Sequence, residues 1–110
     1  MKAYQVSINE AIAALATNTA VPFTVLLQHG SLQVEYFKPD TIDTQTPHKQ
    51  DELYIVASGS GTFNRDGVRT VFTAGEVIFV PAGMEHRFEN FSTDFATWVI
   101  FYGPQGGETA

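Results

Sequence analysis

Cysteine is absent from this chain of 110 residues. Its absence excludes a disulfide framework, a thiolate zinc site and a cysteine nucleophile. Histidine is scarce as well, with 3 residues in the whole chain. Any metal site therefore has only imidazole, carboxylate and amide oxygen ligands to draw on.

Basic side chains are few, since 6 Lys and Arg stand against 12 Asp and Glu and the net charge is -6. This balance argues against a nucleic-acid partner, because binding a phosphate backbone requires a basic surface. It argues equally against docking on anionic lipid.

Long apolar runs are also missing, and none approaches the roughly 20 residues of a membrane helix. Near the N-terminus, Asn9 and Glu10 interrupt the apolar stretch that a signal peptide would need. We therefore expect a cytoplasmic protein without a membrane partner.

The chain does contain enough apolar side chain for one core, with 44% hydrophobic and 13% aromatic residues. A length near 110 residues is typical of a single domain. Ser7 and Glu10 have the spacing of a capping box and precede an alanine-rich run. This pattern predicts a short N-terminal helix, closed by Asn18 and Pro22.

Beyond Pro22, β-branched and aromatic runs recur every 8–12 residues or so, with turn residues between them, which is typical of an all-β sandwich or barrel. We expect residues 1–22 to pack on a barrel of residues 23–103, and residues 104–110 to form a flexible tail. The predicted strands are Thr24–Gln28, Leu32–Phe37, Leu53–Ser58, Gly61–Asn64, Val68–Phe72, Val77–Val80, Arg87–Phe91 and Phe95–Tyr102.

One stretch, from Gly75 to Asn90, reads G-x5-P-x-G-x2-H-x3-N. Gly75 allows a tight turn into a strand. Pro81 ends the ladder of that strand because it lacks an N–H, and Gly83 supplies a positive φ in the next turn. His86 then enters the following strand, so this pattern presents an imidazole beside a strand end.

The same stretch matches the second motif of the cupin family at all five fixed positions. The chain therefore resembles a small single-domain cupin of the RmlC-like, cupin_2 type. The resemblance implies an all-β double-stranded β-helix, a jelly-roll barrel, with the short helix at its N-terminus. Cupins include enzymes of several classes and plain binding proteins, so the fold does not select a reaction.

The first cupin motif, G-x5-H-x-H-x3,4-E-x6-G, is only partly present. Glu52 and Gly59 match its second half. One alignment places His48 on the second motif histidine and Thr46 on the first. The other places His48 on the first and Gln50 on the second. Either way, one motif histidine is missing, which lowers the expected metal affinity.

The resemblance implies a divalent transition metal, Fe, Mn, Ni or Zn, inside the barrel. Its ligands would be His48, Glu52 and His86, with Gln50 or water completing the set. Residues four apart on a straight strand lie about 13 Å apart, so His48 and Glu52 can meet only if the chain turns at residues 49–51.

Further residues are expected around this site. Glu52 is a candidate base if it is not fully coordinated. Tyr54 shares the parity of Glu52 on its strand and could face the same cavity. Phe88 and Trp98 are further candidates for the pocket wall.

Three functions remain open. The first is a metal-binding cupin that acts on a small polar molecule, with dioxygenase, isomerase or lyase chemistry all possible. The second is a non-catalytic sensor or binding protein without firmly bound metal. The third is a structural dimeric barrel without an active site. A homodimer is expected in each case, because the apolar content is high for the length.

Overall fold

The computed structural model describes residues 4–17 and 20–109. All eight predicted strands are confirmed, with boundaries that agree to within two residues. The elements are α1 (Ile8–Ala16), β1 (Phe23–His29), β2 (Leu32–Phe37), β3 (Asp51–Ser58), β4 (Ser60–Arg65), β5 (Val68–Thr73), β6 (Val77–Val80), β7 (His86–Glu89) and β8 (Ala96–Tyr102).

The strands form two sheets, a five-stranded one in the order β1-β2-β8-β3-β6 and a three-stranded one in the order β5-β4-β7. Every pairing among the described strands is antiparallel. The last strand, β8, lies between β2 and β3, so the two ends of the barrel sequence meet in one sheet. The expected all-β jelly-roll class is confirmed.

The core lies between the two sheets and is largely aromatic. Phe88 of the small sheet stands at its centre, with ring centroids 4.8 Å from Tyr54, 4.8 Å from Phe63 and 4.7 Å from Phe95. Burial of these rings removes large apolar areas from water and holds the sheets together.

Helix α1 begins with the predicted capping box. The Glu10 amide donates to Ser7 Oγ at 3.0 Å, and the Ser7 amide donates to Glu10 Oε1 at 2.8 Å. The helix ends at Ala16 with Thr17 as its C-cap. Asn18, expected to help close it, lies outside the described residues.

The helix packs on the outer face of the five-stranded sheet. Ala11 is fully buried there, in a small cluster with Leu26, Tyr36 and Ala96. Among the described residues, no helix is long and apolar enough to cross a membrane.

Gly59 connects β3 to β4 where no larger residue would fit. Its φ is +83°, and an added Cβ would lie 2.6 Å from the Phe95 Cα. The last fixed position of the first motif is therefore explained by close backbone packing.

Residues 103–109 follow β8 and lie against the start of β3. The Gly106 amide donates to the Lys49 carbonyl at 2.6 Å, and the Glu108 amide donates to Asp51 Oδ2 at 2.9 Å. The expected flexibility of this tail, and the division of the chain into three segments, stay predictions.

Candidate functional site

Three residues from separate parts of the chain meet inside the barrel. His48 lies near the end of the long loop between β2 and β3, Glu52 lies on β3, and His86 is the first residue of β7. One candidate ligand atom from each lies within 4.8 Å of the others. The chain bends at Lys49 and Gln50, which lets His48 and Glu52 reach the same point.

The distances within this group are short. His86 Nε2 lies 3.1 Å from Glu52 Oε1, and His48 Nε2 lies 3.8 Å from the same oxygen. Glu52 and His86 are buried, whereas the His48 side chain is 33% exposed. The group therefore has one open side, at His48.

The orientation of His86 leaves its inner nitrogen free to act as a ligand. Its Nδ1 lies 2.9 Å from the Met84 carbonyl, which accepts the Nδ1–H and leaves the Nε2 lone pair pointing inward. Among the described residues, neither His86 Nε2 nor Glu52 Oε2 finds a partner with hydrogen-bond geometry, although both atoms are buried. Such atoms are uncommon in folded proteins. Two imidazoles and a carboxylate fit a divalent transition metal, which would satisfy both atoms.

The two histidines differ in their proton affinity. Burial lowers the pKa of His86, but Glu52 and the Met84 carbonyl outweigh it, so this pKa is raised above its ordinary value. Burial lowers the pKa of His48, and the nearby Glu52 only partly opposes this. At neutral pH, His86 is therefore the imidazole for which a proton competes most strongly with a metal.

The affinity for a metal is accordingly expected to decrease as the pH is lowered, and the decrease should begin above 6.5, the ordinary pKa of histidine. A protonated imidazole binds no metal, so the Zn2+ dissociation constant should rise about tenfold per pH unit below the His86 pKa. Competition with a chromophoric chelator between about pH 6 and pH 8 measures this change. A constant affinity over that range would contradict the assignment of His86.

In the metal-free protein, the contribution of His86 to folding stability should change with pH in the opposite direction. Because the pKa of His86 is raised, its contribution to stability is fully present below the unfolded value and is lost as pH rises through the folded value. For His48, whose pKa is lowered, stability is lost as pH falls below the unfolded value. The difference in unfolding free energy between wild type and His86→Ala should therefore shrink as pH rises above about 6.5.

Two residues that the sequence did not single out belong to this site. Asp43 is buried in the loop before β3. Its carboxylate accepts from the Gln45 amide at 3.0 Å, from Gln45 Nε2 at 2.7 Å and from the Phe88 amide at 2.9 Å. The bond from the residue 45 amide back to Asp43 is an Asx turn, a local conformation that an Asp in a polar loop favours.

Gln45 is held with its side-chain oxygen toward the site. Since Nε2 is bound by Asp43, Oε1 faces the Tyr54 hydroxyl at 3.1 Å and His48 Nε2 at 3.4 Å. Burial and the nearby Glu52 raise the pKa of Tyr54 well above its usual range. Tyr54 is therefore a neutral hydroxyl that donates to Gln45.

Gln50 was expected as a possible ligand, but its side-chain amide nitrogen binds main-chain carbonyls. Gln50 Nε2 donates to the Ser31 carbonyl at 3.1 Å and to the Gly103 carbonyl at 2.9 Å. Thr46, the other replacement for the missing histidine, is exposed. The glutamine oxygen brought to His48 is thus that of Gln45.

The residues expected to form the pocket wall lie away from the cavity beside the site. A cavity of about 400 Å³ opens beside His48 and is lined by Gln45, Phe37 and Phe101, among others. None of the three expected pocket residues, Tyr54, Phe88 and Trp98, lines it. Phe88 lies in the central core, and Trp98 lies with the small cluster under α1, on the other face of β8.

Comparisons with known proteins agree with this architecture. A family model described as a cupin domain, Cupin_2, matches residues 33–102. The chain is 34% identical over 107 residues to the uncharacterized protein SCO3923 of Streptomyces coelicolor, covering 96% of this chain and 99% of that protein.

Two solved structures show the same fold. Protein NMB1881 from Neisseria meningitidis superposes with a TM-score of 0.71 at 19% identity, covering 91% of this chain and 100% of that one. A cupin-2 domain protein from Shewanella frigidimarina superposes with a TM-score of 0.67 at 19% identity, covering 86% and 91%. From its sequence and its fold, this chain belongs to the Cupin_2 family.

Proposed function

We propose that this protein is a metal-binding cupin that acts on a small polar molecule in its barrel cavity. His48, Glu52 and His86 would hold a divalent transition metal, Fe, Mn, Ni or Zn. The observation that carries the proposal is the pair of buried atoms, Glu52 Oε2 and His86 Nε2, for which residues 4–17 and 20–109 supply no hydrogen-bond partner.

A bound metal would supply Lewis-acid chemistry toward an oxygen of the ligand. The chain's own groups then have distinct tasks. Glu52 is the candidate base, since no hydrogen bond within the part of the chain that the structure describes occupies its Oε2. Tyr54, neutral and buried, keeps Gln45 oriented, and the aromatic core beneath excludes water. Dioxygenase, isomerase and lyase reactions are all compatible with these groups.

The metal proposal is tested by thermal unfolding with Zn2+ and with a chelator. Ligand at about 100 times its dissociation constant stabilises a protein by about 2.7 kcal/mol. We expect a clear rise in melting temperature for wild type and none for the His48→Ala/His86→Ala double variant. His29→Ala is the matched control, because His29 is exposed at the end of β1. An equal rise in the double variant would refute the site and favour a structural barrel.

We further propose that Gln45 supplies the oxygen that Gln50 was expected to supply. Gln45→Ala should weaken Zn2+ binding about tenfold, as loss of a supporting group at a metal site commonly does. Gln50→Ala is the control and should leave the affinity within about twofold, since its amide serves main-chain carbonyls. The reverse pattern in a chelator competition assay would show that the assignment is wrong.

We propose a homodimer formed through the outer face of β3 and β6. Ile55 pairs with Val77, and Leu53 pairs with Phe79 two positions along the same strands, so the four side chains share one face. Val77 is 62% exposed and Phe79 is 40% exposed. Contiguous exposed apolar side chains commonly mark an interface. A cytoplasmic location, with no nucleic-acid or membrane partner, stays part of the proposal.

Light scattering of purified protein tests the homodimer. Wild type should have the mass of two chains, and Val77→Glu the mass of one, because burying an unpaired charge in the interface is costly. Thr73→Glu is the control, with an exposed residue at the end of β5. A monomeric wild type would contradict the homodimer and leave the metal proposal untouched.

A further inference from the structure

A third carboxylate, Glu35, faces the same cavity. Glu35 lies on β2 opposite Val99 of β8. Residues directly opposite in an antiparallel pair share a face of the sheet, and Val99 belongs to the central core. Glu35 therefore points into the barrel, and it lines the cavity together with His48.

Two glutamines hold this carboxylate in place. Gln28 Nε2 donates to Gln33 Oε1 at 3.0 Å, which fixes the orientation of the Gln33 amide. Gln33 Nε2 then donates to Glu35 Oε2 at 2.7 Å. Within residues 4–17 and 20–109, Glu35 Oε1 has no hydrogen-bond partner, and no basic side chain forms an ion pair with Glu35.

The surroundings of Glu35 are poor in positive charge. Burial raises the pKa of Glu35, the bond from Gln33 opposes this, and the charge of Glu52 adds to the rise. Phe37, Val99 and Phe101 form apolar walls around the cavity, and Lys49 is the one Lys or Arg among its lining residues. An anionic ligand group beside Glu35 would meet like charge, whereas a donor would meet an open carboxylate oxygen.

We propose that Glu35 binds the ammonium or hydroxyl group of a small ligand with an apolar carbon skeleton. The cavity then selects small amines and alcohols over carboxylates and phosphates. This inference rests on the proposed function, because it names the ligand class of the same cavity. The volume of about 400 Å³ is that of a small-molecule site.

The test uses three probes that share a propyl chain and differ at one end only: propylamine, 1-propanol and butyrate. Each is titrated, with NMR detection of the backbone amides of β2, into zinc-reconstituted protein whose metal content has been measured. Charge-assisted hydrogen bonds to a ligand are strong. Glu35→Gln should therefore weaken binding of the amine about tenfold, and it should leave binding of the acid unchanged or tighten it.

The alcohol identifies the donor that Glu35 binds. Loss of alcohol binding in Glu35→Gln supports recognition of a hydroxyl group, and loss of amine binding alone supports recognition of an ammonium group. Equal effects of the variant on all three probes, or no effect on any, would overturn the inference. Glu76→Gln is the matched control, since it changes the charge equally at an exposed position outside the cavity.

Two further points keep the result interpretable. Glu35→Asp keeps the charge but withdraws it by one methylene, so it should lose part of the amine affinity if Glu35→Gln fails to fold. If wild type takes up no zinc, the metal proposal fails, yet the three probes can still be compared on the metal-free protein. If zinc binds and Glu35→Gln leaves the probe ranking unchanged, only the role of Glu35 fails.

Discussion

Replacing His86 with alanine should lower the affinity of this protein for Zn2+ by at least about 100-fold, since changes in the groups that only support metal ligands already cost about 10–100-fold. His86 contributes one of three candidate ligand atoms, and its Nε2 lies 3.1 Å from Glu52 Oε1. The measurement is a chelator competition assay at about pH 8, where protons compete less for the imidazole than at neutral pH.

The same substitution should also destabilise the metal-free protein. His86 is buried, so alanine leaves a void and a buried Glu52 without its neighbouring imidazole. Breaking a buried pair of this kind costs about 3–5 kcal/mol. Glu52→Gln provides the comparison, because it removes the same ligand group but leaves no buried charge, and it should lose metal with a smaller loss of stability. A His86→Ala protein that binds Zn2+ like wild type would refute the site.

Replacing Phe88 with alanine should lower the unfolding free energy by about 3–5 kcal/mol. The Phe88 ring contacts Tyr54, Phe63 and Phe95 with centroids less than 5 Å away, and Phe72 at 5.4 Å. These neighbours come from both sheets, so the void cannot collapse by moving one strand alone. Since domains of this size are stable by only about 5–15 kcal/mol, much of the fold's stability would be lost.

Urea unfolding followed by tryptophan fluorescence measures this change, with Trp98 as the single reporter. Val71→Ala is the control, because Val71 is 77% exposed and surface changes usually stay within about 0.5 kcal/mol. A loss of stability below about 1 kcal/mol would contradict the central position of Phe88.

The sequence was sufficient to predict the strands and the meeting of His48, Glu52 and His86. The strands are short and bounded by turn residues, so their positions follow from local patterns. Residues 48, 52 and 86 were brought together by the two cupin motifs, one of them incomplete. Neither local propensity nor spacing alone would have placed His86 beside Glu52.

The direction of side chains on strands covered on both faces could not be read from the sequence. On β8, Val99 and Phe101 face the core while Ala96 and Trp98 face α1. Such a strand is apolar throughout, so alternation does not mark its inner face. For this reason the sequence did not indicate that Trp98 lies on the face of β8 that packs toward α1.

On β2 the usual alternation is inverted at the cavity. Polar Gln33 and Glu35 line the cavity inside the barrel, whereas Tyr36 is buried on the outside under α1. An interpretation based on alternating side-chain direction places the polar residues of such a strand on its solvent face. Gln45 was not predicted for another reason. It lies in a polar loop without a repeating pattern, and the side chain of Gln45 is oriented by the buried carboxylate of Asp43.

The central claim is that this chain holds a metal at His48, Glu52 and His86. Elemental analysis of wild-type protein, prepared without chelators and again after reconstitution, tests it most directly. We predict about one divalent transition metal ion per chain, lost in His86→Ala, because the three ligand atoms lie within 4.8 Å of one another and leave room for a single ion. Less than about a tenth of an equivalent of any transition metal in both preparations would contradict the account.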